Sequence, residues 1–289
     1  MNNDDKIDAL TRQTEVWPDD FELPAGIESQ EYIETPPDDS TLNLTWFSRK
    51  TTNEIRPAMV FVHGGSWKFG DKLQFYRQAA RLAEKYNIFG VCISYRLSGE
   101  AKYPAALHDC KAAVRWTRSV ADQFKVDPNR IGISGGSAGA HLAALVATTN
   151  SIASYEGTGP HQIHSSEVSL AVLFNGHYDM SDQLKDHIQD DAMHRFFGGH
   201  PWEIPGIYAE ASPFLRVNEQ SPPMLLLHGD QDHYPHRQSV AMAERLQHYG
   251  VAAEVEIYEG KEHAWFNKGE DNIITTERMG EFLAKHFEL

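Results

Sequence analysis

The sequence predicts a single α/β domain in which helices cover both faces of a mostly parallel sheet. Three observations predict this class. The chain has 289 residues, 41% of them hydrophobic, which suffices for one large buried core. From about Ile27 onward, short β-rich runs alternate with amphipathic segments of helical period. A strand followed by a helix favours parallel pairing, and parallel sheets are covered on both faces.

The first elements differ from this alternation. Residues 1–26 are predicted to be an N-terminal extension, of which residues 1–20 are polar and acidic, without the charged start and apolar run of a signal peptide. Residues 28–35 and 42–48 then alternate apolar with polar side chains, and a Pro-Pro-Asp-Asp sequence at 36–39 separates them. This pattern predicts an opening antiparallel hairpin.

Buried strands and helices follow in turn. The strands are predicted at residues 58–62, 88–95, 131–134, 168–175, 224–228 and 253–258. The helices are predicted at residues 73–86, 105–124, 137–149, 237–249 and 273–287. Since ligands of such sheets bind beyond the carboxyl ends of the strands, we expect the functional side chains there.

One long segment interrupts the alternation. Residues 180–222 contain no clear strand but carry several aromatic side chains. An insertion of this length in a compact domain is usually a lid or a substrate-binding cap. The alternative is helical packing that only covers the edge of the sheet.

Composition limits the kinds of partner. The chain has 26 basic and 41 acidic side chains, a formal net charge of −15. This charge repels the phosphates of nucleic acid, so a small neutral molecule is the expected ligand. No stretch of the sequence resembles a membrane span, and the two cysteines do not suggest a disulfide framework. We expect a cytoplasmic protein, or a secreted one if a leader was removed. The sequence leaves open whether the chain forms a homodimer.

The strongest functional signal is the sequence Gly-Gly-Ser-Ala-Gly at residues 135–139. It follows a predicted strand and opens a predicted helix, which is the context of a nucleophile elbow. The flanking glycines allow a tight turn that exposes the Ser137 hydroxyl, and the helix start directs N–H groups at a developing anion. The sequence therefore predicts Ser137 as a catalytic nucleophile, against the alternative of an ordinary glycine-rich turn.

A second motif, His-Gly-Gly-Ser-Trp at residues 63–67, directly follows the strand predicted at 58–62. Acyl transfer places negative charge on the former carbonyl oxygen, and preorganised N–H groups stabilise that charge. We assign the oxyanion hole to the backbone N–H groups of Gly65, Ser66 and Ala138. His63 is interpreted as structural because such a hole uses backbone groups.

A serine nucleophile needs a base and a carboxylate that orients the base. His263 lies in the loop between the last predicted strand and the C-terminal helix, which makes it the preferred base among fifteen histidines. Asp232 follows the strand at 224–228 and is the preferred carboxylate. Asp230 on the same loop is a candidate turn former, and Asp179 after the preceding strand is a rival for the acid.

The four motifs HGGSW, GGSAG, HGDQD and EHAWF, in this order, resemble the hormone-sensitive-lipase-like carboxylesterases. They are closer still to the acetylxylan and feruloyl esterase-like branch, and the likeness runs from about Pro57 to the C-terminus. The resemblance implies the α/β-hydrolase fold, the Ser137–His263–Asp232 triad and hydrolysis of small carboxylic esters through an acyl-enzyme. Ser66 stands where the lipase-like family usually has a third glycine, and Trp67 resembles the variant found in sugar-ester esterases and kynurenine formamidase.

The sequence also suggests which side chains contact the substrate and whether a metal or cofactor is needed. The candidates for contact with substrate are Trp67, His177, Phe214 and Trp265. No group of histidines, cysteines and carboxylates has zinc-ligand spacing and no glycine-rich loop precedes a lysine, so no metal and no cofactor are expected. Two alternatives share the fold, an arylformamidase-type and a peptidase-type hydrolase, and a third is a non-catalytic binding protein that has lost a triad member.

Overall fold

The computed structural model describes residues 21–35, 42–182 and 191–289. Within these ranges eight strands form one sheet in the order β1-β2-β4-β3-β5-β6-β7-β8. The strands are β1 (Ile27–Glu34), β2 (Leu42–Arg49), β3 (Arg56–Val62), β4 (Phe89–Ser94), β5 (Val126–Gly136), β6 (Ala171–Phe174), β7 (Met224–Gly229) and β8 (Ala253–Tyr258). β2 pairs antiparallel with β1 and β4, and the remaining pairs are parallel. The predicted α/β class and opening hairpin are therefore confirmed.

The helices follow the strands along the chain. They are α1 (Tyr76–Tyr86), α2 (Ala105–Ser119), α3 (Ala121–Phe124), α4 (Ala138–Thr148), α5 (Asp191–Phe197), α6 (Pro205–Glu210), α7 (Pro213–Arg216), α8 (Arg237–His248) and α9 (Gly269–Phe287). Short 3-10 helices lie at Lys72–Phe75, Ala153–Tyr155, Met180–Asp182 and Trp265–Asn267.

Two apolar clusters cover the two faces of the sheet. Side chains of α2, α4 and α8 pack on one face, and side chains of α1 and α9 pack on the other. β3 shows why both faces are filled, since Val60 contributes to the first cluster and its neighbour Phe61 to the second. Successive strand residues point to opposite faces, so an apolar strand such as β3 needs cover on both sides.

Three of the predicted helices differ most from their observed boundaries. The helix predicted at 73–86 begins with the 3-10 turn Lys72–Phe75, and the one predicted at 105–124 is divided into α2 and α3. The last helix begins at Gly269, not at 273. Its first turn carries Glu270 and Asp271, whose charges are favourable at a helix N-terminus, and a search for apolar periodicity misses such a polar start.

The described part of the insertion, residues 180–182 and 191–222, contains a 3-10 turn and the short helices α5, α6 and α7, joined by turns. Phe196, Phe197 and Tyr208 are buried in the cluster that also contains α4. Residues 1–20 of the predicted N-terminal extension, the turn at 36–39 and residues 183–190 of the insertion lie outside the described residues. The domain boundaries and the role of the insertion as a lid stay predictions.

Every helix in the three described ranges is too short or too polar to cross a lipid bilayer. Cys92 in β4 and Cys110 in α2 are both buried and carry free thiols.

Candidate active site

The turn between β5 and α4 holds Ser137 in a strained conformation at the carboxyl edge of the sheet. Its φ of 54° and ψ of −119° are values that residues with side chains rarely adopt. Neighbouring glycines allow the close packing of this turn. A Cβ on Gly135 would lie 2.3 Å from the carbonyl oxygen of Gly139, and a Cβ on Gly139 would lie 2.1 Å from that of Val62.

Three side chains from separate loops meet at this turn. The Nε2 atom of His263 lies 2.9 Å from the Oγ of Ser137, and its Nδ1 atom lies 2.8 Å from an oxygen of Asp232. In the catalytically competent tautomer, the Ser137 hydroxyl donates to Nε2 while Nδ1–H donates to the Asp232 carboxylate. This arrangement can transfer the hydroxyl proton to the imidazole and stabilise the resulting cation.

The Asp232 carboxylate is fully buried. Burial alone would raise the pKa of this carboxyl, but hydrogen bonds from His228 and His263, together with the positive charge on His263, hold it well below its usual range. The backbone N–H of Tyr234 also donates to Asp232, at 2.8 Å. The carboxylate is therefore ionised at any pH at which His263 can act as a base.

The two rival carboxylates have other partners. Asp230 accepts a 2.7 Å hydrogen bond from the backbone N–H of Gly260, which joins two loops. Asp179 accepts a 3.0 Å hydrogen bond from the backbone N–H of Ser181 and so closes a local turn. The structure thus places Asp232, of these three, against the imidazole of His263.

The two glycine-containing motifs meet beside the nucleophile. Ser66 and Ala138 line the same cleft as Ser137. Neither of their backbone N–H groups donates to a backbone carbonyl within the described ranges. Gly65 is not part of the cleft lining; with a φ of 116°, it makes the tight turn on which Phe69 packs. Two of the three predicted oxyanion donors therefore flank Ser137.

His63 lies beneath the oxyanion loop and faces the core. Its ring stacks on Tyr95 with centroids 4.2 Å apart, and its Nδ1 atom lies 2.7 Å from the carbonyl oxygen of Gly64. Burial lowers the pKa of His63 to about 4, so the imidazole is neutral at neutral pH. These contacts describe the structural histidine that the sequence predicts.

A second buried histidine connects the elbow helix, the oxyanion loop and the insertion. The indole N–H of Trp67 donates to Nδ1 of His141 at 3.2 Å, so Nε2 of His141 carries the proton and donates to the carbonyl oxygen of Ala211 at 2.8 Å. Burial lowers the pKa of His141 to about 4. Trp67 also stacks on Phe196, with centroids 4.9 Å apart, which ties helix α5 to the site.

We expect the protein to lose stability in acid because His63 and His141 are buried in the neutral form. Their pKa values are depressed to about 4 in the folded state from 6.5, so between these values the unfolded chain binds protons that the folded chain does not. The free energy of unfolding should therefore fall as the pH falls through this window, by up to about 1.4 kcal/mol per pH unit for each histidine. Urea unfolding at several pH values measures the slope, which should be shallower in His141→Gln. A slope that this replacement leaves unchanged would contradict the assignment of a neutral His141.

The cleft beside Ser137 contains about 260 Å³ of space free of protein atoms, open solvent at its mouth included. Its lining consists of Ser66, Trp67, Ser137, Ala138, Asn175, His177, Met193 and Tyr234. Two of the predicted substrate contacts, Trp67 and His177, are in this set.

The other two predicted substrate contacts lie elsewhere. Phe214 packs under the guanidinium group of Arg245, 4.6 Å from the ring centroid. Trp265 is buried in the opposite cluster against Tyr258, because the 3-10 turn after His263 directs its ring into the core. Neither ring is among the residues that line the cleft in this structure, and contact of Phe214 and Trp265 with substrate stays a prediction.

Asn175 is a site residue that the sequence reasoning missed. It directly follows β6, has a left-handed φ of 39° and is almost fully buried. Its amide nitrogen, Nδ2, lies 2.8 Å from Nδ1 and 3.2 Å from Nε2 of His263, and a 180° turn of the amide group places its oxygen there instead. The assignment of amide oxygen and nitrogen follows from hydrogen bonding. Since both ring nitrogens of an imidazolium are donors, the amide oxygen turned towards the ring would accept from the cation that forms during catalysis.

Replacing Asn175 with alanine should therefore lower kcat. A hydrogen bond to a charged group contributes about 1.5–3 kcal/mol, which corresponds to a loss of roughly ten- to a hundredfold. Steady-state kinetics on a chromogenic ester measures the loss, and urea unfolding checks that the variant is folded. An unchanged kcat in a folded variant would show that the amide does not assist the imidazole.

A model of the BD-FAE family matches residues 45–246 of this chain. The chain belongs to the BD-FAE family. It is 31% identical over 221 residues to Esterase LipC of Mycobacterium tuberculosis, covering 73% of this chain and 53% of that protein. It is also 28% identical to isoprenylcysteine alpha-carbonyl methylesterase ICME of Arabidopsis thaliana, covering 72% of this chain and 50% of that protein. The chain thus spans about half the length of these curated relatives.

A solved structure matches nearly the whole fold of this BD-FAE family member. It is a thermophilic esterase, Est2, from the Planctomycetes species Thermogutta terrifontis, solved with butyrate bound. The TM-score is 0.76 at 29% identity, and the match covers 90% of this chain and 94% of that one. Together with the family match, this confirms the α/β-hydrolase fold and the resemblance to esterases that the four motifs indicate.

Proposed function

We propose that this protein is a serine carboxylesterase that hydrolyses small carboxylic esters through an acyl-enzyme. One observation carries the proposal: the imidazole of His263 bridges the Ser137 hydroxyl and the buried Asp232 carboxylate beside an open cleft. The esterases among its relatives support the same reaction class.

Acylation begins when His263 Nε2 removes the proton from Ser137, whose oxygen forms a bond to the ester carbonyl carbon. The carbonyl electrons move to oxygen, where the N–H groups of Ser66 and Ala138 stabilise the anion. When the tetrahedral intermediate collapses, the bond to the alkoxy oxygen breaks and His263 gives its proton to the departing alcohol. Asp232 remains ionised and stabilises the imidazolium throughout.

Deacylation repeats these steps with water. His263 removes a proton from a water molecule, whose oxygen attacks the acyl carbon of the Ser137 ester. The second tetrahedral intermediate collapses, the carboxylic acid is released and Ser137 recovers its proton from His263. No step requires a redox partner or an activated co-substrate.

The side chains that line the cleft support short acyl groups as substrates. The solved relative that binds butyrate is consistent with a small acyl pocket. The bulky side chains of Trp67, Met193 and Tyr234 line the cleft.

We therefore expect kcat/KM to be higher for p-nitrophenyl acetate and butyrate than for p-nitrophenyl octanoate. Each methylene that a pocket accommodates adds about 0.8 kcal/mol of favourable transfer free energy, so a long apolar channel would give the opposite order. A higher kcat/KM for octanoate than for butyrate would contradict the proposed pocket.

Acetyl or feruloyl esters of carbohydrates are the natural substrate class that we infer within this proposal. The support is the HGGSW sequence, which resembles that of sugar-ester esterases, and membership of the BD-FAE family. Acetylated xylan, methyl ferulate and N-formylkynurenine, compared in one assay, distinguish this class from the formamidase alternative. Turnover of the formamide in preference to both esters would overturn the carbohydrate ester proposal.

A further inference from the structure

A compact group of potential metal ligands lies in the insertion, outside the triad. His194 is on helix α5, and His200 and Glu203 are in the turn that follows. One ligand atom from each side chain lies within 4.8 Å of the other two. The spacing along the chain, His-x5-His-x2-Glu, is not a common zinc signature, so the sequence alone does not reveal the group.

The turn that carries two of these side chains is held by its own hydrogen bonds. The backbone N–H of His200 donates to Glu203 Oε2 at 2.8 Å, and the backbone carbonyl of His200 accepts from Glu203 and Ile204 N–H at 2.9 and 3.0 Å. Glu203 therefore points back towards His200 before any ligand binds. Such preorganisation lowers the entropic cost of binding.

The two imidazoles lie face to face with their nitrogens uncommitted. Their ring centroids are 3.9 Å apart and the ring planes differ by 26°. In the part of the chain that the structure describes, no side-chain hydrogen bond occupies a ring nitrogen of His194 or His200. Both side chains are partly exposed, so the rings can tilt towards a shared ion.

We propose that His194, His200 and Glu203 bind a zinc ion. Zinc accepts two imidazole nitrogens and one carboxylate oxygen, with water as its fourth ligand. Metal–ligand distances of about 2.0–2.2 Å place tetrahedral ligand atoms roughly 3.4 Å apart, so each pair of atoms has to close by less than about 1.5 Å. The nitrogen lone pairs lie in the ring planes, and His200 also stacks on Trp202 with centroids 4.4 Å apart, so binding requires the partly exposed His194 ring to turn out of its stack on His200.

The proposed zinc site and the cleft share helix α5. Helix α5 carries Met193, which lines the cleft, next to His194, and Phe196, which stacks on Trp67. A zinc ion shared with His200 and Glu203 would fix the C-terminal part of α5 to the following turn. The zinc site itself is independent of the proposed esterase activity, since binding requires none of the triad residues.

Isothermal titration of the full, chelator-treated chain with zinc chloride tests the proposal, and the visible spectrum of added Co²⁺ provides a second readout of ligand geometry. We expect a binding event that His194→Ala and His200→Ala each weaken at least about tenfold, since losing even an outer-shell partner of a metal typically costs 10–100-fold. Glu203→Gln keeps the size of the side chain and should also weaken binding. It therefore tests the site even if one of the two alanine variants fails to fold.

Two control variants identify the site. His248→Ala removes an exposed histidine of α8 and should leave the affinity unchanged. Asp232, His233 and His263 form a second group with close ligand atoms, so His233→Ala tests whether zinc binds at the triad instead. No zinc binding by the unaltered chain, or binding that is lost in His233→Ala and retained in His200→Ala, would overturn the proposal.

Discussion

Replacing Ser137 with alanine should lower kcat for ester hydrolysis by about six orders of magnitude, the effect of removing the nucleophile from a serine protease triad. The reason is that the Oγ of Ser137 lies 2.9 Å from Nε2 of His263, the base that removes its proton. Background hydrolysis assisted by the oxyanion N–H groups should remain.

The same replacement should have little effect on folding. The Ser137 side chain makes a hydrogen bond to His263 at the surface of the cleft, and alanine retains its Cβ in the strained turn. Kinetics with p-nitrophenyl butyrate gives the loss of activity, and urea unfolding of both proteins gives the change in stability. Turnover within tenfold of that of the unaltered protein would exclude Ser137 as the nucleophile.

Asp232→Asn should lower kcat by about four orders of magnitude, by analogy with the same change in a serine protease. The amide keeps the volume of the carboxylate but can donate to Nδ1 of His263, which favours the tautomer whose Nε2 carries a proton. That tautomer cannot accept the Ser137 proton. The buried position of Asp232 means that no water can replace the lost charge.

Two matched variants show whether this effect is specific. Asp230→Asn alters a loop contact to Gly260, and Asp179→Asn alters a local turn at Ser181. Neither carboxylate contacts His263 in the hydrogen bonds described above, so each variant should lose at most about tenfold in kcat. A severe loss in Asp179→Asn with a mild one in Asp232→Asn would move the acid to the loop after β6.

The sheet and the triad could be predicted because local patterns specify them. Strand β8 has its predicted bounds, 253–258, since apolar and polar residues alternate there. Ser137 is recognisable because a nucleophile elbow needs small residues at fixed positions around the serine. In the structure, a Cβ at Gly135 or Gly139 would collide with a backbone carbonyl oxygen. His263 and Asp232 follow from the order of strands and loops.

The rest of the site depends on contacts between distant parts of the chain. Asn175 is one residue among several after β6, and only the approach of His263, 88 positions later, gives it a place in the site. Trp265 is predicted from the sequence to contact substrate, but the 3-10 turn that begins at this residue directs its ring into the core. The signal that could have indicated Asn175 is its position at the carboxyl end of a central strand.

The most direct test of the account is covalent labelling with diethyl p-nitrophenyl phosphate, an organophosphate that reacts with activated serines. We expect loss of esterase activity in proportion to the incorporation of one diethylphosphoryl group, located on Ser137 by mass spectrometry of peptides. An excess of p-nitrophenyl butyrate should slow the labelling. Full inactivation with the label on another residue, or full esterase activity after Ser137 is labelled, would contradict the proposed mechanism.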